Sequence, residues 1–391
     1  MSDLDHPVID ADNHYYEALD AFTRHLDPAW AQRCVQWCEI DGRKYHVIGG
    51  RVSRAVTNAT FDPIARAGAM HDYFRGNPEG RDPLSFLADR EPIRPEYRDP
   101  AARVRVLDEQ GLEACWMFPT LGMIYEELLT DDPEAACVTF RAFNRWVQED
   151  WGFAHRGRIF AAPYLTLADP DWAVEELTWA LDAGARLVVM RPAAPTTTTG
   201  RCSPFDERFA RFWGLLDESG VPLVLHAGDG GVSSNGYAPD GFAATFGGAW
   251  KPTIKFFAIE QAIKDFLLSM VLENHLARYP NLRVVSVENG AQFLPDLFRK
   301  ARSLAKKVHG WFPEDPVELM RRQVWINPFW EDDVDEVVEL MGADRVVFGS
   351  DWPHIEGMPQ PLDYLPEVKS LEPDEQRLVL HDNAASLVQV G

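Results

Sequence analysis

Carboxylates and imidazoles are the side chains that hold divalent metals in mixed oxygen and nitrogen sites, and here they fall at the ends of apolar runs. Val8-Ile9 leads into Asp10-Ala11-Asp12-Asn13-His14, with Glu17 three residues on; Pro222-Leu223-Val224-Leu225 leads into His226, Arg283-Val284-Val285-Ser286-Val287 into Glu288, and Val347-Phe348-Gly349-Ser350 into Asp351-Trp352-Pro353-His354. Side chains one residue apart point the same way on an extended segment, so Asp12 and His14 can grip one ion together. His226 and Asp351 complete a set of four if these runs are strands that meet. Singly, each has an ordinary use: Asp351 can close a turn, and His226 can be a buried histidine bonded to backbone. Jointly they point to a bound metal, whose chemistry would be to acidify a water or to hold a substrate oxygen.

The elements that must position these residues show as short apolar runs alternating with longer segments of helical period, the rhythm of repeated βα units. Strands are expected at 7–12, 113–119, 159–165, 186–190, 222–226, 283–288, 323–327 and 345–350. Helices are expected at 133–150, 171–183, 206–218, 258–278, 293–308, 332–341 and from about 374. Near-continuous apolar strands are buried on both faces. Eight such units, without a Gly-x-Gly-x-x-Gly turn after the first, predict an α/β fold: one (β/α)8 TIM barrel domain over residues 1–391. Its C-terminal strand ends form the face on which active sites are built, and the candidate ligands lie at such ends.

Residues 15–100 are too many for a βα connection and predict an inserted subdomain serving as a lid or a subunit interface. Within it, 35–40 and 44–48 flank Asp41-Gly42, a pair that favours a type I′ hairpin. A second irregular stretch, 228–248, holds seven glycines and predicts a mobile loop.

The chain has 391 residues, with 38 Lys and Arg against 61 Asp and Glu, a net charge of −23 that disfavours a nucleic-acid partner. No stretch approaches the roughly 20 apolar residues of a membrane span, and the opening Met-Ser-Asp-Leu-Asp-His-Pro lacks the features of a secretory signal. Cys34, Cys38, Cys115, Cys137 and Cys202 are too scattered for a disulfide framework. These features predict a cytoplasmic protein acting on a small molecule. The insertion, over 36–100, is the candidate contact of a homodimer or of a hetero-oligomer with a related chain.

The motifs Val8-Ile9-Asp10-Ala11-Asp12-Asn13-His14, Pro222-Leu223-Val224-Leu225-His226 and Val347-Phe348-Gly349-Ser350-Asp351-Trp352-Pro353-His354, with weaker support from 283–288 and Asn383-Ala384-Ala385, resemble the amidohydrolase superfamily. The resemblance is to the amidohydrolase-2 branch, that of aminocarboxymuconate-semialdehyde decarboxylase and related metal-dependent barrel enzymes, and covers nearly the whole chain except 15–100. It implies that Asp12, His14, His226 and Asp351 bind metal and that Asp351 also moves a proton. Two departures stand out. Glu288-Asn289-Gly290 replaces the family's His-Gly-Gly, and Val189-Met190-Arg191 lacks the bridging carboxylated lysine of dinuclear members.

The enlarged donor set, Asp12, His14, Glu17, His226, Glu288, Asp351 and His354, suits manganese or iron better than a histidine-rich zinc site does, and could serve one ion or two. Glu17 and Glu288 either orient His14 and His226 or, with His354, hold a second ion. Asp351, His226 and Glu288 are the expected catalytic groups. Three reactions fit: hydrolysis by metal-activated water, metal-assisted decarboxylation, and dioxygen activation at an Fe or Mn pair. An inactive partner subunit is a further alternative. Arg191 is placed to bind a substrate carboxylate, and Trp352, with Tyr15, Tyr16, Phe118 and Trp330, to line an apolar pocket.

Overall fold

The computed structural model describes residues 4–56, 58–82, 85–86, 88–231, 254–329 and 332–389. Counting barrel strands alone, these are β1 (Ile9–Tyr15), β2 (Ala114–Pro119), β3 (Ile159–Ala161), β4 (Val188–Met190), β5 (Leu223–His226), β6 (Val284–Val287) and β7 (Val324–Ile326). They pair in parallel as two arcs, β1-β2-β3 and β4-β5-β6-β7. Only Trp325 among their residues is not fully buried, as two-sided cover by helices demands.

Backbone hydrogen bonds join the arcs into a ring. Between β3 and β4, Leu165 N donates to the Val189 carbonyl (2.9 Å) and Val189 N to that of Pro163 (3.0 Å). Between β7 and β1 runs an eighth segment: Val347 N donates to Ile326 O (2.9 Å), Ala11 N to Phe348 O (2.8 Å), Asp351 N to Asp12 O (2.9 Å) and His14 N to Trp352 O (2.8 Å). The expected strand at 345–350 is thus present as bridges and not as a regular strand. Single bridges join Val346 to Ile326 and Trp352 to Asn13, and the backbone turns at Asp351 (φ +56°), just past the expected strand end.

The helix Pro133–Asp150 has its expected bounds, with Asp132 accepting from Ala135 N at its start. The helix expected over 258–278 is divided into Lys255–Leu272 and His275–Arg278, because Asn274 between them is left-handed (φ +54°). In the insertion, Val35–Ile40 and Arg43–Ile48 pair antiparallel about Asp41 and Gly42, whose φ of +51° and +74° are those a type I′ turn needs. Farther on, Ile64–Ala65 pairs with Arg90–Glu91. All five cysteines are free. Of the glycine-rich stretch 228–248, only 228–231 are among the described residues.

Gly349 lies where the eighth segment presses on β1: a Cβ there would sit 2.4 Å from Asp12 Cβ and 2.8 Å from Asn327 Nδ2. Gly349→Ala is expected to lose about 1–3 kcal/mol of stability by overpacking, measured by urea unfolding, and to push Asp12 out of register.

Candidate metal centre

The C-terminal ends of β1, β5 and β6 and of the eighth segment deliver their polar side chains to one point. His14 Nε2 lies 3.3 Å from Asp12 Oδ1, 3.4 Å from Asp351 Oδ1 and 3.6 Å from Glu288 Oε2. His226 Nε2 is 3.2 Å from His14 Nε2, 3.3 Å from Glu288 Oε2 and 3.5 Å from Asp12 Oδ1. Nδ1 of His226 faces the Ala227 carbonyl at 2.9 Å; as the donor there, it leaves the Nε2 lone pair turned to the cluster. Both oxygens of Asp12 and Oδ2 of Asp351 are buried without a hydrogen-bond partner.

Buried carboxylates left this way are costly unless a cation meets them. Burial pushes His14 down, yet Asp12 and Glu288 carry its pKa up to about 9, so the cluster draws positive charge to the point where a metal ion would sit. Asp12, His14, His226 and Glu288 form one group of converging donor atoms; His14, Glu288, Asp351 and His354 form a second that shares two members with it. The donors therefore fit a divalent cation.

A β-bulge contributes to this convergence. The register of β1 on β2 slips between Asp10 and Asn13, inserting one residue and re-aiming the side chains beyond it. Asp10 turns to the eighth segment, accepting from Ser350 N (2.9 Å) and Ser350 Oγ (2.6 Å). Its carboxyl also accepts from Asn13 Nδ2 (2.9 Å), and buried Arg103 in turn donates to Asn13 Oδ1 and, at 2.7 Å, to the His14 carbonyl. Glu288 and Asp351 both occupy the left-handed region, φ +57° and +56°, strain typical of functional positions. Sequence reasoning passed over Asp10, Arg103 and Thr120; an apolar run closed by Asp10 was the one available signal.

His354 holds Asp351, its Nδ1 being 2.6 Å from Asp351 Oδ1, while its Nε2 is 2.9 Å from Thr120 Oγ1. Thr120 spends its one hydroxyl proton on the Tyr15 carbonyl (2.8 Å), so it accepts from His354 Nε2–H. Neutral His354 then offers a lone pair at Nδ1, and the shared proton belongs to Asp351. Burial, then Glu288, Glu356, Asp12 and Asp10, pushes the Asp351 carboxyl well above its usual range; burial, then His14 and His226, holds His354 well below its own.

Three expected roles are corrected. Glu17 is outside the cluster: its Oε1 accepts from Leu121 N (2.7 Å) and Gly122 N (3.0 Å), and burial raises it to about 7. Arg191 does not reach a substrate site. It is buried on Glu126 (3.1 Å), Glu127 (2.5 Å) and the Asp229 carbonyl (2.6 Å). Trp352 is core, packed on Tyr97 with the Arg103 guanidinium 4.5 Å from its ring centroid. Tyr15 is likewise core, stacked on Trp151, whereas Phe118 packs on His226 and Tyr16 lines the pocket. Trp330 lies outside the described residues.

That pocket opens over the cluster, with His14, His226, Glu288 and His354 among its lining. Its outer wall includes Arg54, Val56, Phe61 and Ile64 of the insertion, faced by Ile124 and Ile259.

A ring of parallel strands with carboxylates and imidazoles gathered at its C-terminal mouth is the framework of a metal-dependent hydrolase or lyase. The chain belongs to the amidohydrolase family, whose model matches residues 9–390. An amidohydrolase structure from Mycobacterium avium subsp. paratuberculosis K-10 is 41% identical, covers 99% of both chains and superposes with a TM-score of 0.91. Gamma-resorcylate decarboxylase of Polaromonas sp. JS666 is 23% identical over 79% of this chain and 94% of its own. A dihydroxybenzoic acid decarboxylase structure from Polaromonas sp. JS666, holding manganese and 2-nitroresorcinol, is 19% identical, with a TM-score of 0.61 over 82% of this chain and 93% of that one. These relatives lend no support to the dioxygen-activating alternative. Among the described residues no helix is long and apolar enough to cross a membrane.

His226→Ala is expected to abolish metal retention, to less than about 0.1 ion per chain by mass spectrometry, with the circular dichroism spectrum unchanged. Arg191→Met takes the buried cation away from Glu126 and Glu127, leaving Glu127 to Arg201 and Glu126 to the hydroxyls of Tyr164 and Thr166, and is expected to lower unfolding free energy by about 3 kcal/mol, a loss that a purely substrate-binding arginine would not show.

Proposed function

We propose that this protein is a metal-dependent decarboxylase of ortho-hydroxylated aromatic acids, using one ion, most suitably manganese. The observation that carries the reading is the Asp351–His354 pair, 2.6 Å apart at the edge of the metal cluster. A bound divalent cation would supply the Lewis acidity that holds the substrate carboxylate and its neighbouring hydroxyl, and would loosen the hold of Asp351 on its proton.

Asp351 gives that proton to the ring carbon bearing the carboxylate, and the electrons of the carbon–carboxylate bond remain on that carbon as carbon dioxide departs. His354 keeps Asp351 oriented, and Thr120 keeps His354 in the tautomer that accepts. Hydrolysis would instead need the Asp351 carboxylate ionised and ready to take a proton from water, and the products formed separate the two reactions. The single ion is supported by the overlap of the two donor groups and by the engagement of Glu17 elsewhere. As part of the same reading, the insertion acts as the wall and cover of the pocket, and the free thiols of all five cysteines are consistent with a cytosolic setting.

Incubation of the manganese-loaded protein with 2,6-dihydroxybenzoate and related ortho-hydroxybenzoates is expected to release carbon dioxide. In heavy water it should leave one deuterium at the vacated carbon. Asp351→Asn is expected to slow this about 100-fold or more while the protein retains metal. Absence of carbon dioxide release across the panel, with hydrolysis of aryl esters or lactones instead, would overturn the assignment.

A further inference from the structure

Three uncharged polar groups of the pocket wall are already engaged. Tyr16 donates its hydroxyl to the Pro353 carbonyl (3.0 Å). Thr120 is occupied by Tyr15 and His354. Asn58 donates to the Asp62 carbonyl (3.1 Å) and accepts from Thr60 N (3.2 Å) and Thr60 Oγ1 (2.9 Å). The rest of the wall carries the charged Arg54, Arg90 and Glu356 together with an apolar set, Val56, Phe61 and Ile64 from the insertion and Ile124, Ile259 and Ile355 from the barrel loops. Val56, Ile124, Ile259 and Ile355 are each only partly buried, so their apolar surface is available to a ligand.

A small polyhydroxylated acid would leave this apolar set in contact with water. An apolar substituent loses nothing there and gains the free energy of removing both surfaces from water. The exposed guanidinium of Arg54, 5.5 Å from the Tyr45 ring centroid, lies at the outer edge of the same pocket and marks where it meets solvent.

We infer that the insertion between β1 and β2 is a specificity device that selects acids carrying an extended apolar substituent, the acid head held at the metal cluster and the alkyl or alicyclic body against Val56, Phe61, Ile64, Ile124, Ile259 and Ile355. This rests on the decarboxylase reading for the head of the substrate, but the tail is selected by surfaces that take no part in the chemistry. The insertion supplies Val56, Phe61 and Ile64 to this wall, and the segments after β2, β5 and the eighth segment supply Ile124, Ile259 and Ile355.

The test is binding, read apart from turnover. Dissociation constants of 2,6-dihydroxybenzoate and its 4-ethyl, 4-butyl and 4-hexyl derivatives are measured calorimetrically on manganese-loaded Asp351→Asn protein, so that the ligands persist. The 4-position lies opposite the carboxylate and directs the tail outward. Binding is expected to tighten about fourfold per methylene over the first additions. Val56→Asn and Ile259→Asn, whose melting temperatures and metal content serve as folding controls, should cut that increment to about twofold or less without weakening the unsubstituted acid. Affinity that stays level or falls as the tail grows would overturn the inference, as would an increment untouched by both variants. Carbon dioxide release by the wild-type protein, followed separately, reports on the decarboxylase reading alone.

Discussion

Crowding of carboxyl groups at the barrel mouth is the constraint on which the rest depends. Asp12, Glu288 and Asp351 lie within a few ångströms of one another around His14 Nε2, and Asp12 and Asp351 are buried in a chain whose overall charge is −23. Such a cluster is tolerable only if positive charge enters it. Much of the surrounding architecture limits where that charge can sit. The bulge in β1 turns Asp12 and His14 together, the left-handed backbone of Glu288 and Asp351 turns their carboxylates inward, and His226 presents Nε2 because its Nδ1 is engaged by the Ala227 carbonyl. These devices cost backbone strain or hydrogen-bonding freedom and make sense together as the walls of a cation site.

The same charge organises the proton chemistry. Asp351 faces carboxylates on one side and His354 on the other, so it keeps a proton that an isolated aspartate would lose. The relay stops at Thr120, whose proton is committed to the backbone of β1, and this fixes the direction in which His354 can act. One hydroxyl thus sets the tautomer of a histidine, and the histidine sets which partner holds the transferable proton.

The ring of strands was legible because each apolar run of 113–119, 222–226 or 283–288 has one physical use, burial on both faces. The donors at their ends were legible for the same reason, since polar side chains closing a buried strand must face something. The second layer was hidden by sequence distance. Arg191 reads as a substrate anchor until Glu127, 64 positions earlier, is seen to occupy it. Glu17 reads as a ligand until its carboxylate is found capping the backbone at Leu121 and Gly122. Asp10 clasps Ser350 across 340 positions, and no local pattern encodes that clasp. The single helix expected over 258–278 failed at Asn274, because hydrophobic period alone does not register one left-handed residue.

The seam between β1 and the eighth segment has a consequence for the order of assembly. Backbone bonds from Ala11, Asp351 and His14 stitch the opening of the chain to residues 348–352, and the same few residues carry Asp12, His14 and Asp351. During synthesis, the first half of the metal cage therefore waits, open to solvent, until almost the last strand position has left the ribosome. An ion could be enclosed only afterwards, and its arrival would fasten Asp12 and His14 to Asp351.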